Sequence, residues 1–170
     1  STIQVVPVGG DARDGRPTVK AAFPSGSGWP PVVPIVIEFS ESIYENSILP
    51  TSSTAQDARI ILRVKGTTQP ITCIYDFVAQ GRVLVMRPAT GLTNQQNPVY
   101  EVVMFPDGTD VDGVPFLVSG TESVLAEFEC NQSDTIHDGR ILTTYPRDNA
   151  RDANRETAYY VFFDRPVNAI

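Results

Sequence analysis

Apolar residues in this chain recur at alternate positions, in short runs that end on Gly, Pro or Asx. Val32–Phe39 places Val33, Ile35, Ile37 and Phe39 on one face, because successive side chains of a strand point to opposite sides. Ala58–Lys65 alternates Ile60, Leu62 and Val64 with Arg63 and Lys65, and Gly66-Thr67-Thr68-Gln69 turns it into Pro70–Phe77. Gln80-Gly81 leads into Arg82–Arg87, and Val99–Phe105 stops at Pro106-Asp107-Gly108. With Ile3–Val8 before them and Leu125–Cys130 after, these make about seven strands and no crossover helix. Parallel pairs need long crossovers, so antiparallel pairing is expected. One dry face per strand then predicts an all-β Greek-key sandwich.

Residues 15–31 break the strand rhythm. Phe23-Pro24-Ser25-Gly26-Ser27-Gly28-Trp29-Pro30-Pro31 reads as a Gly/Pro loop holding the single tryptophan. Trp29 and Phe23 are binding candidates there, since long loops on rigid sandwiches often carry function. The alternative is a tryptophan that folds back and pins its own loop. Tyr100, near the start of the sixth run, suits a tyrosine whose hydroxyl ties down a corner, or an ordinary half-buried side chain.

Composition narrows the function classes. With 41% hydrophobic and 19% charged residues the chain is globular, and 14 Pro and 12 Gly spread along it are turn punctuation. Thirteen Lys+Arg against 20 Asp+Glu, a net charge of -7, leave no basic cluster for phosphates, so no nucleic-acid partner is expected. No apolar run approaches the roughly 20 residues that cross a membrane, so no membrane insertion is expected. No charged-then-apolar leader opens the sequence, so export would imply a leader already removed.

Catalytic chemistry has little to stand on. His137 is the single histidine, placed in a linker-like segment without a nucleophile elbow or ligand partners, so no enzyme is expected. Asp107, Asp110 and Asp112, flanked by Gly108 and Gly113, either wrap a hard cation such as calcium or cap turns. Cys73 shares a face with Ile71, Tyr75 and Phe77, and Cys130 with Ala126 and Phe128. They are either a disulfide between sheets or two buried thiols. Asn131-Gln132-Ser133 fits a glycosylation sequon.

An internal repeat organises the rest. Val6-Pro7-Val8-Gly9-Gly10-Asp11-Ala12-Arg13-Asp14 leads to Ile35–Phe39-Ser40-Glu41-Ser42-Ile43. Tyr145-Pro146-Arg147-Asp148-Asn149-Ala150-Arg151-Asp152 leads to Tyr159–Phe163-Asp164-Arg165-Pro166-Val167. Pairing Pro7 with Pro146 and Phe39 with Phe163 leaves the tryptophan loop as an insertion in the first copy. The predicted layout is a sandwich over 1–130, a linker over 131–140 and the first strands of a second copy over 141–170.

A strand, a proline with an Asp/Gly/Ala-rich turn, and an apolar strand closing on Phe-Ser-Glu-Ser-Ile or Phe-Asp-Arg-Pro-Val resemble bacterial immunoglobulin-like domains of S-layer type. Leu92, Tyr100 and Val102 match that family's Leu-x(n)-Tyr-x-Val pattern, and Ala126-Glu127-Phe128 its Phe-centred last strand. The resemblance implies tandem extracellular modules serving as spacers, stalks, lattice elements or adhesive surfaces. Expected partners are other such modules, copies of the chain, a glycan or a surface protein. It supplies no catalytic residue.

Two strands alone cannot bury Tyr159, Val161 and Phe163. The expected outcomes are a continuing tandem array, packing of the tail on the first unit, or strand addition to a neighbouring chain in a dimer or fibre.

Overall fold

A computed structural model describes residues 15–51, 57–93, 96–116, 120–130, 139–147 and 158–166. Ten strands lie among them: β1 (Val19–Phe23), β2 (Ile35–Phe39), β3 (Ile60–Val64), β4 (Pro70–Ile71), β5 (Cys73–Val78), β6 (Val83–Pro88), β7 (Val99–Met104), β8 (Ser123–Glu129), β9 (Ile141–Tyr145) and β10 (Tyr160–Phe163). One helical turn, α1 (Glu45–Ile48), buries Ile48. The chain is all-β. One antiparallel sheet runs β1-β2-β6-β5, a second runs β4-β3-β7-β8, and β9 and β10 form a separate pair.

The alternation seen in the sequence becomes the core. Ile35, Ile37 and Phe39 of β2 and Leu84 and Met86 of β6 face Ile60 and Leu62 of β3 and Tyr100, Val102 and Phe128 of the other sheet, all of them buried. The register agrees, with Ile35 opposite Met86 and Ile37 opposite Leu84 in one sheet and Leu62 opposite Val102 in the other. Tyr100 stacks on Phe128 at 5.6 Å, and its hydroxyl donates to the Thr93 carbonyl at 3.0 Å. The corner-tying role is the one it takes.

The run Pro70–Phe77 splits in two. β4 pairs with β3 at the edge of one sheet, where Pro70 has no ladder donor to lose. After Thr72 the chain crosses to the other sheet and pairs with β6. Gly81 closes the next turn at φ +82, where a Cβ would stand 3.0 Å from the Ile43 carbonyl oxygen.

The segment expected as a loop differs most. Val19–Phe23 is a strand, with Phe23 opposite Val36 and Val19 opposite Phe39 across a bulge. Beyond Pro24 the chain changes sheets: the Gly26 amide donates to the Glu127 carbonyl, and the Glu129 amide to that of Gly26. The pattern was hidden because Val19-Lys20-Ala21-Ala22-Phe23 carries a bulge at Lys20, which breaks strict alternation. By running from the edge of one sheet to the edge of the other, this segment covers the β8 edge, which would otherwise present unpaired backbone groups. Ile3–Val8 lies outside the described residues.

Candidate functional site

The β9–β10 pair repeats the β1–β2 pair position for position. Phe23 lies opposite Val36, Ala22 opposite Ile37, Ala21 opposite Glu38 and Val19 opposite Phe39. Tyr145 lies opposite Tyr160, Thr144 opposite Val161, Thr143 opposite Phe162 and Ile141 opposite Phe163. Both registers slip at the same step, so the bulge at Lys20 has its counterpart at Leu142.

The residue after the final phenylalanine closes both hairpins in the same way. The Ser40 amide donates to the Thr18 carbonyl while Ser40 Oγ accepts from the Thr18 amide, both at 2.9 Å. The Asp164 amide donates to the Arg140 carbonyl while Asp164 Oδ1 accepts from the Arg140 amide, again both at 2.9 Å. The proline matching Pro146 is therefore Pro24, and the 15–31 segment is no insertion: its first half is the counterpart of β9. Pro7, Ala12-Arg13-Asp14 and Ala150-Arg151-Asp152 lie outside the described residues, and paired backbone geometry is a stronger marker than a proline alone.

This hairpin is seated on the first unit. Val36, Glu38 and Val83 point away from the sandwich core, since they alternate with Ile35, Ile37 and Leu84. Together with Phe23 they meet Thr143, Thr144, Tyr145 and Phe162 across a narrow cleft. Val36 and Val83 are buried by that contact on the outer side of their sheet, and Leu142 is buried as well. Arg147 Nε pairs with Glu38 Oε2 at 2.6 Å.

Arg140 joins the units at the other end. Its guanidinium lies 5.2 Å over the Trp29 ring, Nη2 donates to the Gly28 carbonyl at 2.8 Å, and Nε meets Asp164 Oδ2 at 3.2 Å. Asp164 is 0% exposed and also meets Arg165 Nε at 3.3 Å. Burial works to raise its carboxyl, but the Arg140 amide and the two guanidinium groups outweigh that and hold it below the usual carboxylate value.

Trp29 folds back: its Nε1 donates to the Ser25 carbonyl at 2.9 Å and its ring lies under Arg140. Phe23 lines the cleft beneath the hairpin. Both are half-buried and lie at the joint between the hairpin and the sandwich.

Cys73 and Cys130 are buried but unbridged, which corrects the disulfide expectation. Cys73 sits on β5 at one edge of its sheet, and Cys130 follows β8 at the opposite edge of the other. Shared inwardness is not proximity. Burial pushes each thiol up to about 12, and Cys130 Sγ donates to the Pro30 carbonyl at 3.6 Å.

Asp107, Asp110 and Asp112 do not converge, and among the described residues no three His, Cys, Asp or Glu side chains are grouped to hold a metal. Buried Asp110 instead accepts at Oδ1 from the Asp112 and Val114 amides, each at 2.8 Å, so it caps a turn. Asn131, His137, Asp11, Asp14, Asp148 and Asp152 lie outside the described residues. Tyr159 and Val161 are 77% and 49% exposed, and Phe163 is half-buried.

Arg140, Asp164, Glu38 and Arg147 were not identified from sequence. The available signal was a side-chain oxygen directly after a strand-ending phenylalanine, as in Phe39-Ser40 and Phe163-Asp164. A charge network on the outer face of the second sheet was also missed: buried Arg63 meets Glu101 at 2.6 Å and Glu122 at 2.6 Å.

No protein-family model matches the chain, and no curated protein does. Among solved structures it is similar to domains 1–6 of the surface layer protein SbsC, at 15% identity and a TM-score of 0.48, over 77% of this chain and 15% of that one. The S-layer protein rSbsC gives 15% and 0.46, over 76% of this chain and 15% of that one. The N-terminal part of bacterial SbsC gives 15% and 0.47, over 76% and 25%.

Proposed function

We propose that this chain is a non-enzymatic structural segment of a secreted or cell-surface protein, built of immunoglobulin-like modules and acting as a spacer, stalk or lattice element. The observation that carries the reading is the β1–β2 hairpin repeated as β9–β10, bulge included, and seated on the first unit. A chain that rebuilds the same opening hairpin and docks it through a dedicated Arg140–Asp164–Trp29 joint is organised to set modules in a fixed relation. The proposed layout keeps a first module ending near Cys130, a linker, and a second module opening near Ile141.

Immunoglobulin-like topology is supported by strand order. With β4 counted as an added edge strand, the sheets carry the first, second, fifth and fourth strands and the third, sixth and seventh. The Tyr100 hydroxyl bonded back to Thr93 supports the same topology. The surface location follows from the sequence resemblance to S-layer-type domains. It is tested by labelling intact producing cells with a membrane-impermeant biotin ester. Labelling of this protein before lysis is expected, and labelling only after lysis overturns the location.

Assembly with a neighbouring chain is a second reading, favoured by the exposed Tyr159 and Val161. A concentration-dependent mass that Val161→Lys reduces to the monomer supports it. A monomer at all concentrations counts against it.

A further inference from the structure

The repeat assigns a partner to the free side of the hairpin. In the first unit Ile35, Ile37 and Phe39 face the core at 0%, 0% and 1% exposure. Their counterparts by register are Tyr159, Val161 and Phe163, and Ile141 stands where Val19 does. Tyr159, Ile141 and Val161 are 77%, 61% and 49% exposed. The residues left in water are the counterparts of core-facing ones, while the opposite face of the hairpin is the one seated on the first unit.

The backbone agrees. The Ser40 amide points to β1, so the Phe39 amide points the other way and donates to the Arg82 carbonyl just before β6. The Asp164 amide points to β9 in the same manner. The Phe163 and Val161 amides therefore point to the side of β10 where no strand lies among the described residues.

We propose that this edge of β10 is an acceptor for one antiparallel strand of β6 chemistry, bulky and apolar at alternate positions, contributed by a further sheet. The repeat predicts its register. In the first unit Met86, Val85, Leu84 and Val83 lie opposite Ile35, Val36, Ile37 and Glu38. The incoming strand therefore sets its four equivalent residues opposite Tyr159, Tyr160, Val161 and Phe162. The new strand completes the ladder, and the sheet behind it covers the exposed apolar face. This deepens the modular reading and rests on the repeat, whatever the location of the protein.

The test is a peptide copying Arg82–Pro88, titrated into the full chain and followed by residue-resolved amide exchange. Exchange at Val161 and Phe163 should slow about tenfold, while Tyr160 and Phe162, already directed to β9, stay unchanged. Val161→Lys should abolish the effect, and Ile74→Lys, at another exposed apolar position, should not. A scrambled peptide of the same composition controls for attraction of its two arginines to an acidic chain. Equal protection by the scrambled peptide, or none up to the solubility limit, overturns the proposal. So does a dimer in which a second copy already protects these amides, which makes the occupant a copy of the chain. Surface labelling is read separately, so either result stands without the other.

Discussion

Tyr100 combines the two ways in which single residues hold this fold. Its ring is buried against Phe128, and its hydroxyl donates to the Thr93 carbonyl at 3.0 Å. Tyr100→Phe keeps the ring and leaves that carbonyl without its donor, which should cost about 1 kcal/mol in a urea melt. Ile37→Ala, at a fully buried position beside Leu84, removes more and should cost about 2–5 kcal/mol. The cysteines make a chemical prediction. Burial pushes both thiols up to about 12, so they stay protonated near neutral pH. Native protein should resist an alkylating reagent, and unfolded protein without reductant should take up two equivalents. No uptake after unfolding would mean that the two are bridged after all.

At the scale of elements, the joint between hairpin and sandwich depends on a carboxylate. The Asp164 carboxyl is held below its usual value, so its ionised form stabilises the fold. That contribution is fully present above the unfolded carboxyl value of 3.8 and is lost as pH falls through the lower folded value. Acidification below about pH 3.8 should therefore loosen the hairpin and change Trp29 emission as Arg140 leaves the ring. Glu122, on the other sheet, is likewise held below its usual value by its hydrogen bond to Arg63, so its contribution is also lost on acidification. Asp164→Asn separates the two, because it should remove the acid step in Trp29 emission and leave the Glu122 contribution. An acid step unchanged in Asp164→Asn would place its origin elsewhere.

The whole molecule reads as three layers: two sheets enclosing the core, and a hairpin over the outer side of one of them. Val36 and Val83, both buried, line the cleft beneath the third layer. A chain truncated after Cys130 should keep its far-UV β signature and gain binding of a hydrophobic dye at that face. No gain in dye binding would mean that the hairpin does not cover it. Some of this architecture was legible beforehand. Strands β2, β3, β6 and β7 followed from alternation because each has one face toward the core. β1 did not, because a bulge at Lys20 disturbs its period, and the split of β4 from β5 did not, because a change of sheet leaves no mark on hydropathy.

The sequence by itself determined the all-β class, the inward set around Ile35, Ile37, Phe39 and Tyr100, and the strand-forming run that becomes β10. These depend on side-chain period and on local turns, which a linear pattern records. Only the tertiary structure decided that Cys73 and Cys130 lie on opposite edges, that Asp110 caps a turn, and that Trp29 lies beneath Arg140. Each of these depends on which strands become neighbours, and that is a property of the packed sheets.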